Sequence, residues 1–193
     1  MDVLDVMAER ENVCNYLDMP LQHASDDILK AMKRGTTQAK TDALVAAIRE
    51  KMPDIALRTT LIAGFPGETD AHHEDVLKWV ERSRFERLGC FTYSHEENTS
   101  AYALDDDVPE GVKRARVEAI MELQAGISLE LNERLVGTEQ KVLIDRAEDG
   151  AWIGRTQYDS PDVDNEVRIA FRDDLHLRIG DFVQARITGA SEF

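Results

Sequence analysis

The stretch LIAGFPGE, residues 61–68, has the residue types and spacing best suited to chemistry. It joins an apolar run, residues 55–63, to a helix expected from about Asp70. Gly64 and Gly67 permit tight turns and close approach of a ligand to the main chain. If the apolar run is a parallel strand, this turn lies at its carboxyl end, where ligands bind in α/β sheets and barrels. The same residues also suit a plain strand-to-helix turn whose proline and glycines only fix geometry. PLQH, residues 20–23, ends another expected strand and would face the same mouth. Gln22 can donate and accept, and His23 can do either; a satisfied histidine near a turn is the alternative. FTYS, residues 91–94, ends a third strand and completes the set. His72 and His73 fall in the first turn of a helix, where they are expected to be solvated, and His95 and His176 have no evident partner.

Cysteine chemistry is limited. Cys14 and Cys90 are far apart and form no CxxC or CxxxCxxC cluster, so they supply no three- or four-cysteine metal site. Both are expected to be small buried hydrophobes. Nothing marks an oxidising compartment, so a reducing cytoplasm is the default.

The elements that must position these residues can be read from periodicity. The segment 15–22 is the first with a clear period; Tyr16 and Leu17 fit a short strand, and Pro20 ends its regular pairing. Ser25, followed by Asp26 and Asp27, starts a helix with Ile28, Leu29 and Met32 inward and Gly35 as its C-cap. A second helix fits residues 38–51, with Leu44, Val45 and Ile48 inward, and Met52-Pro53 ends it. The mostly apolar run 55–63 fits a parallel strand covered on both faces. A helix over 70–83 and a strand over 87–93 follow. Strand and helix therefore alternate, the α/β pattern with crossover helices.

The loop 94–107 is polar and acidic. Pro109, after an aspartate cap at Asp107, opens a long helix with Val112, Ala119, Leu123, Ile127, Leu131 and Leu135 on one stripe, ended by Gly137. After that the pattern changes to short strands, at 141–145, 151–155, 165–170 and 182–188, with turn signals between them. This fits a small β-barrel or sandwich, with the boundary at about Val136.

With 193 residues, the chain allows one domain of ordinary size plus a small one. Hydrophobic residues make up 42% and charged ones 32%, which excludes disordered, collagenous and disulfide-scaffold classes. No apolar run is long enough to span a bilayer, and the first residues have no signal-peptide layout. The net charge of -15 argues against tracking a phosphate backbone and favours a basic partner. Residues 136–193 carry seven lysines and arginines against twelve aspartates and glutamates, which is −5 of that total.

Five ordered blocks now carry a resemblance: PLQHASDDILKAMKRG, IALRTTLIAGFPGET, RFERLGCFTYSHEENTSAY, DDVPEGVKRARVEAIMELQAGISLELN, and the closing IGRTQYDSPDVDNEV with LRIGDFVQARITGASEF. In order and spacing the chain resembles the radical S-adenosylmethionine methylthiotransferases, in particular the branch that modifies an aspartate of a small-subunit ribosomal protein. The resemblance implies an α/β fold. Residues 1–135 would be the C-terminal half of a radical SAM (βα) barrel, and residues 136–193 a small all-β TRAM barrel missing its last strand.

By the same resemblance, S-adenosylmethionine would lie near Gln22, His23, Thr60, Ile62, Gly64, Phe65, Gly67, Glu68 and Tyr93. The family's 4Fe-4S clusters need cysteines that this sequence lacks. A fragment with no catalytic or metal residues, inactive when isolated, is therefore expected. The expected partner is a basic ribosomal protein, reached through the TRAM part, with RNA disfavoured by charge. The alternatives are the same portion of a transfer-RNA methylthiotransferase and a non-catalytic protein-interaction module. Half a barrel also leaves strand 15–22 with an open edge, which predicts dimerisation or poor solubility.

Overall fold

A computed structural model describes residues 3–192. A short helix α1, Val3–Glu9, comes first, and nothing in the sequence periodicity marks it. It buries Met7, and Leu4 packs against the main core. Strand β1, Tyr16–Asp18, leads into helices α2, Asp26–Ala31, and α3, Gln38–Lys51. Strand β2, Ala56–Ala63, helix α4, Asp70–Ser83, and strand β3, Arg87–Thr92, follow. The three strands form a parallel sheet in the order β1-β2-β3. The alternation expected from the sequence is thus present.

Along β2, Leu57, Thr59, Leu61 and Ala63 are buried, while Arg58, Thr60 and Ile62 are only half-buried. One face of this sheet is therefore packed under helices and the other is open, whereas its apolar run had suggested cover on both faces. Leu57, Val80 and Phe85 are fully buried, and Trp79 beside them donates its indole N–H to Asp42 Oδ1 at 2.7 Å. The polar atom of the largest core side chain is thereby satisfied. On α3, Val45 and Ile48 are inward as expected, but Leu44 is exposed.

Helix α5, Glu110–Glu133, closes this unit. Its packed face shares Leu123, Ile127 and Leu131 with the expected stripe, but much of what it buries is polar. The buried residues are Lys113, Arg116, Ile120, Gln124, Ile127, Ser128 and Asn132, while Val112 is exposed. Polar groups can take such positions when each finds a partner. Gln124, for example, donates to Phe85 O at 2.9 Å. Pro109 itself is the N-cap, and the Asp107 carboxylate is engaged elsewhere.

A second, antiparallel sheet contains β4, Glu139–Glu148, β5, Ala151–Arg155, β6, Val167–Ala170, and β7, Phe182–Arg186, in the order β6-β5-β4-β7. Asp149 (φ 47°) and Gly150 (φ 74°) form the β4–β5 turn, both in the left-handed region that an Asp-Gly hairpin turn requires. Among the described residues neither sheet closes into a barrel. Residues of β6, β7 and the chain end instead line an open groove of about 770 Å³.

The two units are tied by buried charges. Asp164 accepts from the Tyr16 hydroxyl at 2.7 Å and lies 3.3 Å from Arg58 Nε; Asp159 accepts twice from Arg87, at 2.6 and 3.0 Å. Tyr16, Arg58 and Arg87 all lie at the start of their strands, so the second unit sits at the amino-terminal rim of the parallel sheet.

The two cysteines differ: Cys90 on β3 is buried and Cys14 is exposed. Burial, with Glu68 nearby, pushes the Cys90 thiol up to about 12. Alkylation near pH 8 is therefore expected to modify Cys14 promptly and Cys90 only in denaturant, since the thiolate is the nucleophile. Mass spectrometry of the labelled native protein checks this, and prompt double labelling would contradict it.

Candidate functional site

Main-chain bonds bring the three motifs together at the carboxyl ends of the parallel strands. Gln22 N donates to Thr60 O and Ile62 N donates to Gln22 O, both at 2.9 Å, so PLQH extends the first strand beyond Pro20. Tyr93 N donates to Ala63 O at 2.8 Å, which sets FTYS against GFPG. Gln22 has φ 74°, a left-handed conformation unusual for a side chain of its size. Such local strain is found where surrounding structure fixes a residue for use.

Of the nine residues singled out from sequence, Thr60 and Ile62 lie on the open face of β2. The others gather at the rim. Phe65 and Tyr93 pack ring edge to ring face, with centroids 5.1 Å apart. With Ile28, and with Met32, Ile62 and Ala101 beside them, they form a small apolar cluster separate from the main core. Gly64 and Gly67 both have positive φ, at 78° and 81°, so the turn needs glycine at each.

Glu68 and His23 are buried and face one another. The Glu68 carboxylate accepts from Gly64 N at 2.7 Å and Phe65 N at 3.3 Å, and from Arg116 at 3.0 Å. It therefore holds the turn that precedes it. His23 Nδ1 accepts from Ser25 N at 2.9 Å, which places the ring proton on Nε2, 3.5 Å from Glu68 Oε2. Burial alone would raise the Glu68 pKa. The His23 Nε2–H, the Gly64 N–H and the Arg116 charge together hold it below the ordinary value.

The neighbouring histidines are not simply solvated. The His72 ring completes a capping box with Thr69. The His73 Nδ1 is shielded, and burial lowers its pKa. His95 has partners too: its Nδ1 is 3.3 Å from the Tyr93 hydroxyl, and its ring stacks on Tyr102 at 4.7 Å.

Four residues at this site escape the sequence motifs: Lys113, Arg116, Asp106 and Asp107. Arg116 also donates to Glu68 O and to Asp70. Lys113 pairs with Asp106 at 2.7 Å. Asp107 accepts from Gly67 N at 2.8 Å. The available signal was two cations, three residues apart, in the opening turns of a helix, where the macrodipole disfavours positive charge. On the open face, Phe91 is exposed and pairs in register with Ile62.

A metal cluster does not fit these residues. Among the described residues no group of three or more His, Cys, Asp or Glu is placed to hold a metal ion.

Comparison with known proteins bears on this arrangement directly. Residues 1–80 match the Radical SAM superfamily and residues 136–193 the TRAM domain. Curated proteins from Christiangramia forsetii and Cytophaga hutchinsonii, both named ribosomal protein uS12 methylthiotransferase RimO, are 55% and 53% identical over 193 residues. From end to end the chain matches RimO. A RimO from Chlorobaculum tepidum is 51% identical over the same 193 residues. The chain spans 43% of the first of these relatives and 44% of the other two, a little under half their length. Among solved structures, the radical SAM enzyme coproporphyrinogen III oxidase (HemN) from Escherichia coli aligns over 70% of the chain and 31% of its own length. The TM-score is 0.53 at 23% identity, a likeness of fold. The chain is thus similar to a radical SAM enzyme over residues 1–80, and its two cysteines, Cys14 and Cys90, form no cluster-binding motif.

Proposed function

We propose that this chain is the barrel wall and TRAM part of a RimO-type methylthiotransferase, an enzyme that adds a methylthio group to an aspartate of ribosomal protein uS12. Residues 1–135 would belong to the radical SAM barrel, and residues 136–193 to the TRAM domain. The observation that carries the reading is 55% and 53% identity to two RimO proteins over all 193 residues.

In this reading S-adenosylmethionine lies at the carboxyl ends of β1, β2 and β3. Gln22 brings a side-chain amide there, and Gly64 and Gly67 let a ligand come close to the main chain. Thr60 and Ile62 supply the open sheet face, and Phe65 and Tyr93 an apolar floor. His23 and Glu68 hold the turn from behind. When bound next to a reduced cluster, the cofactor supplies radical chemistry. This chain contributes binding and orientation only, so the isolated chain is expected to be inactive.

The substrate reading is a basic protein rather than RNA. The arginines lining the groove of the second sheet support it, because three of the four are paired with carboxylates and the fourth, Arg168, is held on a backbone carbonyl. Arg87 binds Asp159, Arg172 binds Asp174, Arg186 binds Glu139, and Arg168 donates to Asp149 O. Phosphate recognition needs cations free to replace counterions.

The test is binding of the purified chain to uS12 and to transfer RNA, each at low and at physiological salt. Binding to uS12 that weakens with salt is expected, with little RNA binding at physiological salt. Tight RNA binding without uS12 binding would reassign the chain to a transfer-RNA methylthiotransferase.

A further inference from the structure

Lys113 breaks three local rules at once. It is a buried cation, 3% exposed. It sits in the opening turn of α5, on the side of the helix dipole that repels positive charge. Its stem also occupies the space beside Gly64 so closely that a Cβ there would lie 2.3 Å from its Cγ. Conflicts of this kind between local preference and placement concentrate at functional positions.

What Lys113 touches gives the reason. Its ammonium pairs with Asp106 at 2.7 Å and lies 5.1 Å from the centroid of the Tyr93 ring. Asp106 belongs to the loop 94–107, which is fastened to the mouth at two further places. Asp107 accepts from Gly67 N at 2.8 Å, and His95 reaches the Tyr93 hydroxyl while stacking on Tyr102. Ala101 packs on the Phe65 and Tyr93 cluster beneath. The loop thus lies across the residues at which the ligand would bind.

We propose that Lys113 is a positioning residue that latches the loop 94–107 across the mouth, so that the closed loop forms one wall of the ligand site. The latch acts through Asp106 and Tyr93, and Gly64 lacks a side chain so that the lysine stem can pass. Its role in ligand binding rests on the reading of the mouth as the S-adenosylmethionine site.

Hydrogen exchange of the full chain without ligand reads the latch itself. Lys113→Met is expected to speed exchange of the 94–107 amides about tenfold, the size of a lost charge-assisted bond, and to leave β2 and α4 protected. Lys113→Arg keeps a cation for both Asp106 and the Tyr93 ring and is expected to restore protection. Asp106→Asn, on an exposed loop that tolerates change, is expected to loosen the same amides without touching the helix.

Titration with S-adenosylhomocysteine reads the consequence. Affinity is expected to fall about tenfold in Lys113→Met and to recover in Lys113→Arg. Unchanged loop exchange in both Lys113→Met and Asp106→Asn would overturn the proposal, as would an arginine variant no better than methionine. If the wild-type chain bound no S-adenosylhomocysteine, the reading of the mouth would fall, and the exchange experiment would still decide the latch.

Discussion

Glu68→Ala is expected to cost about 3–5 kcal/mol of stability, the range for removing one partner from a buried ion pair. Two losses add. Arg116, 6% exposed, would keep only the exposed Asp70 carboxylate and the Glu68 carbonyl as partners. The Gly64 and Phe65 N–H groups would lose the carboxylate that accepts them. For a protein of this size that corresponds to a fall in Tm on the order of 10 °C. Chemical denaturation measures it, and a loss below about 1 kcal/mol would show that the turn holds itself.

The pH dependence gives a second, independent reading of the same group. The folded pKa of Glu68 is depressed, so its stabilisation is fully present above the unfolded carboxyl value and is lost as pH falls through the folded one. Glu68→Gln keeps an acceptor but cannot titrate. The acid limb of the stability curve should therefore be shallower in Glu68→Gln than in the wild type, while the two curves run parallel near neutrality.

How legible this site was in the sequence depends on distance along the chain. Gly64 and Gly67 fall within one turn, so their spacing announced a strand-to-helix bend, whereas the Glu68 carboxylate that holds it from behind was not announced. The meeting of PLQH, GFPGE and FTYS could also be argued, because each ends a strand and parallel strands share an end. Helices α3 and α4 coincide with their expected ranges because capping residues and breakers stand at both ends. The polar part of the packed face of α5 was missed for a physical reason. Hydrophobic periodicity finds apolar stripes, whereas this helix turns Lys113, Arg116 and Gln124 inward and satisfies them with partners on other elements. Those partners are 7 to 48 residues away and have no local signature. Cys14 illustrates the same limit, since the chemistry of a thiol says nothing about which side of a turn faces water.

Arg87→Met is expected to be as damaging as any substitution at the mouth, although it lies at the opposite end of the sheet. Asp159 is 4% exposed at its side chain, and Arg87 supplies two of the three donors that reach it. Leaving that carboxylate buried without its cation should cost about 3–5 kcal/mol. Replacing both partners by apolar residues removes the stranded charge, so Arg87→Met with Asp159→Leu should recover at least half of the loss. A double-mutant cycle read by denaturant unfolding yields this coupling, and additive single losses would show that the pair is not the tie.

The second tie, Arg58 and Tyr16 with Asp164, has the same construction, with the Tyr16 phenol pushed upward first by burial and then by Asp164. Both ties join strand starts to one loop of the second unit, and neither comes near Gly64 or Tyr93. A chain held this way should unfold in one transition while both ties stand. In Arg87→Met the antiparallel unit keeps only one of its two buried charged ties, and its unfolding should separate from that of the parallel sheet. Such a split would show that the charged ties at the amino-terminal rim hold the second unit in place.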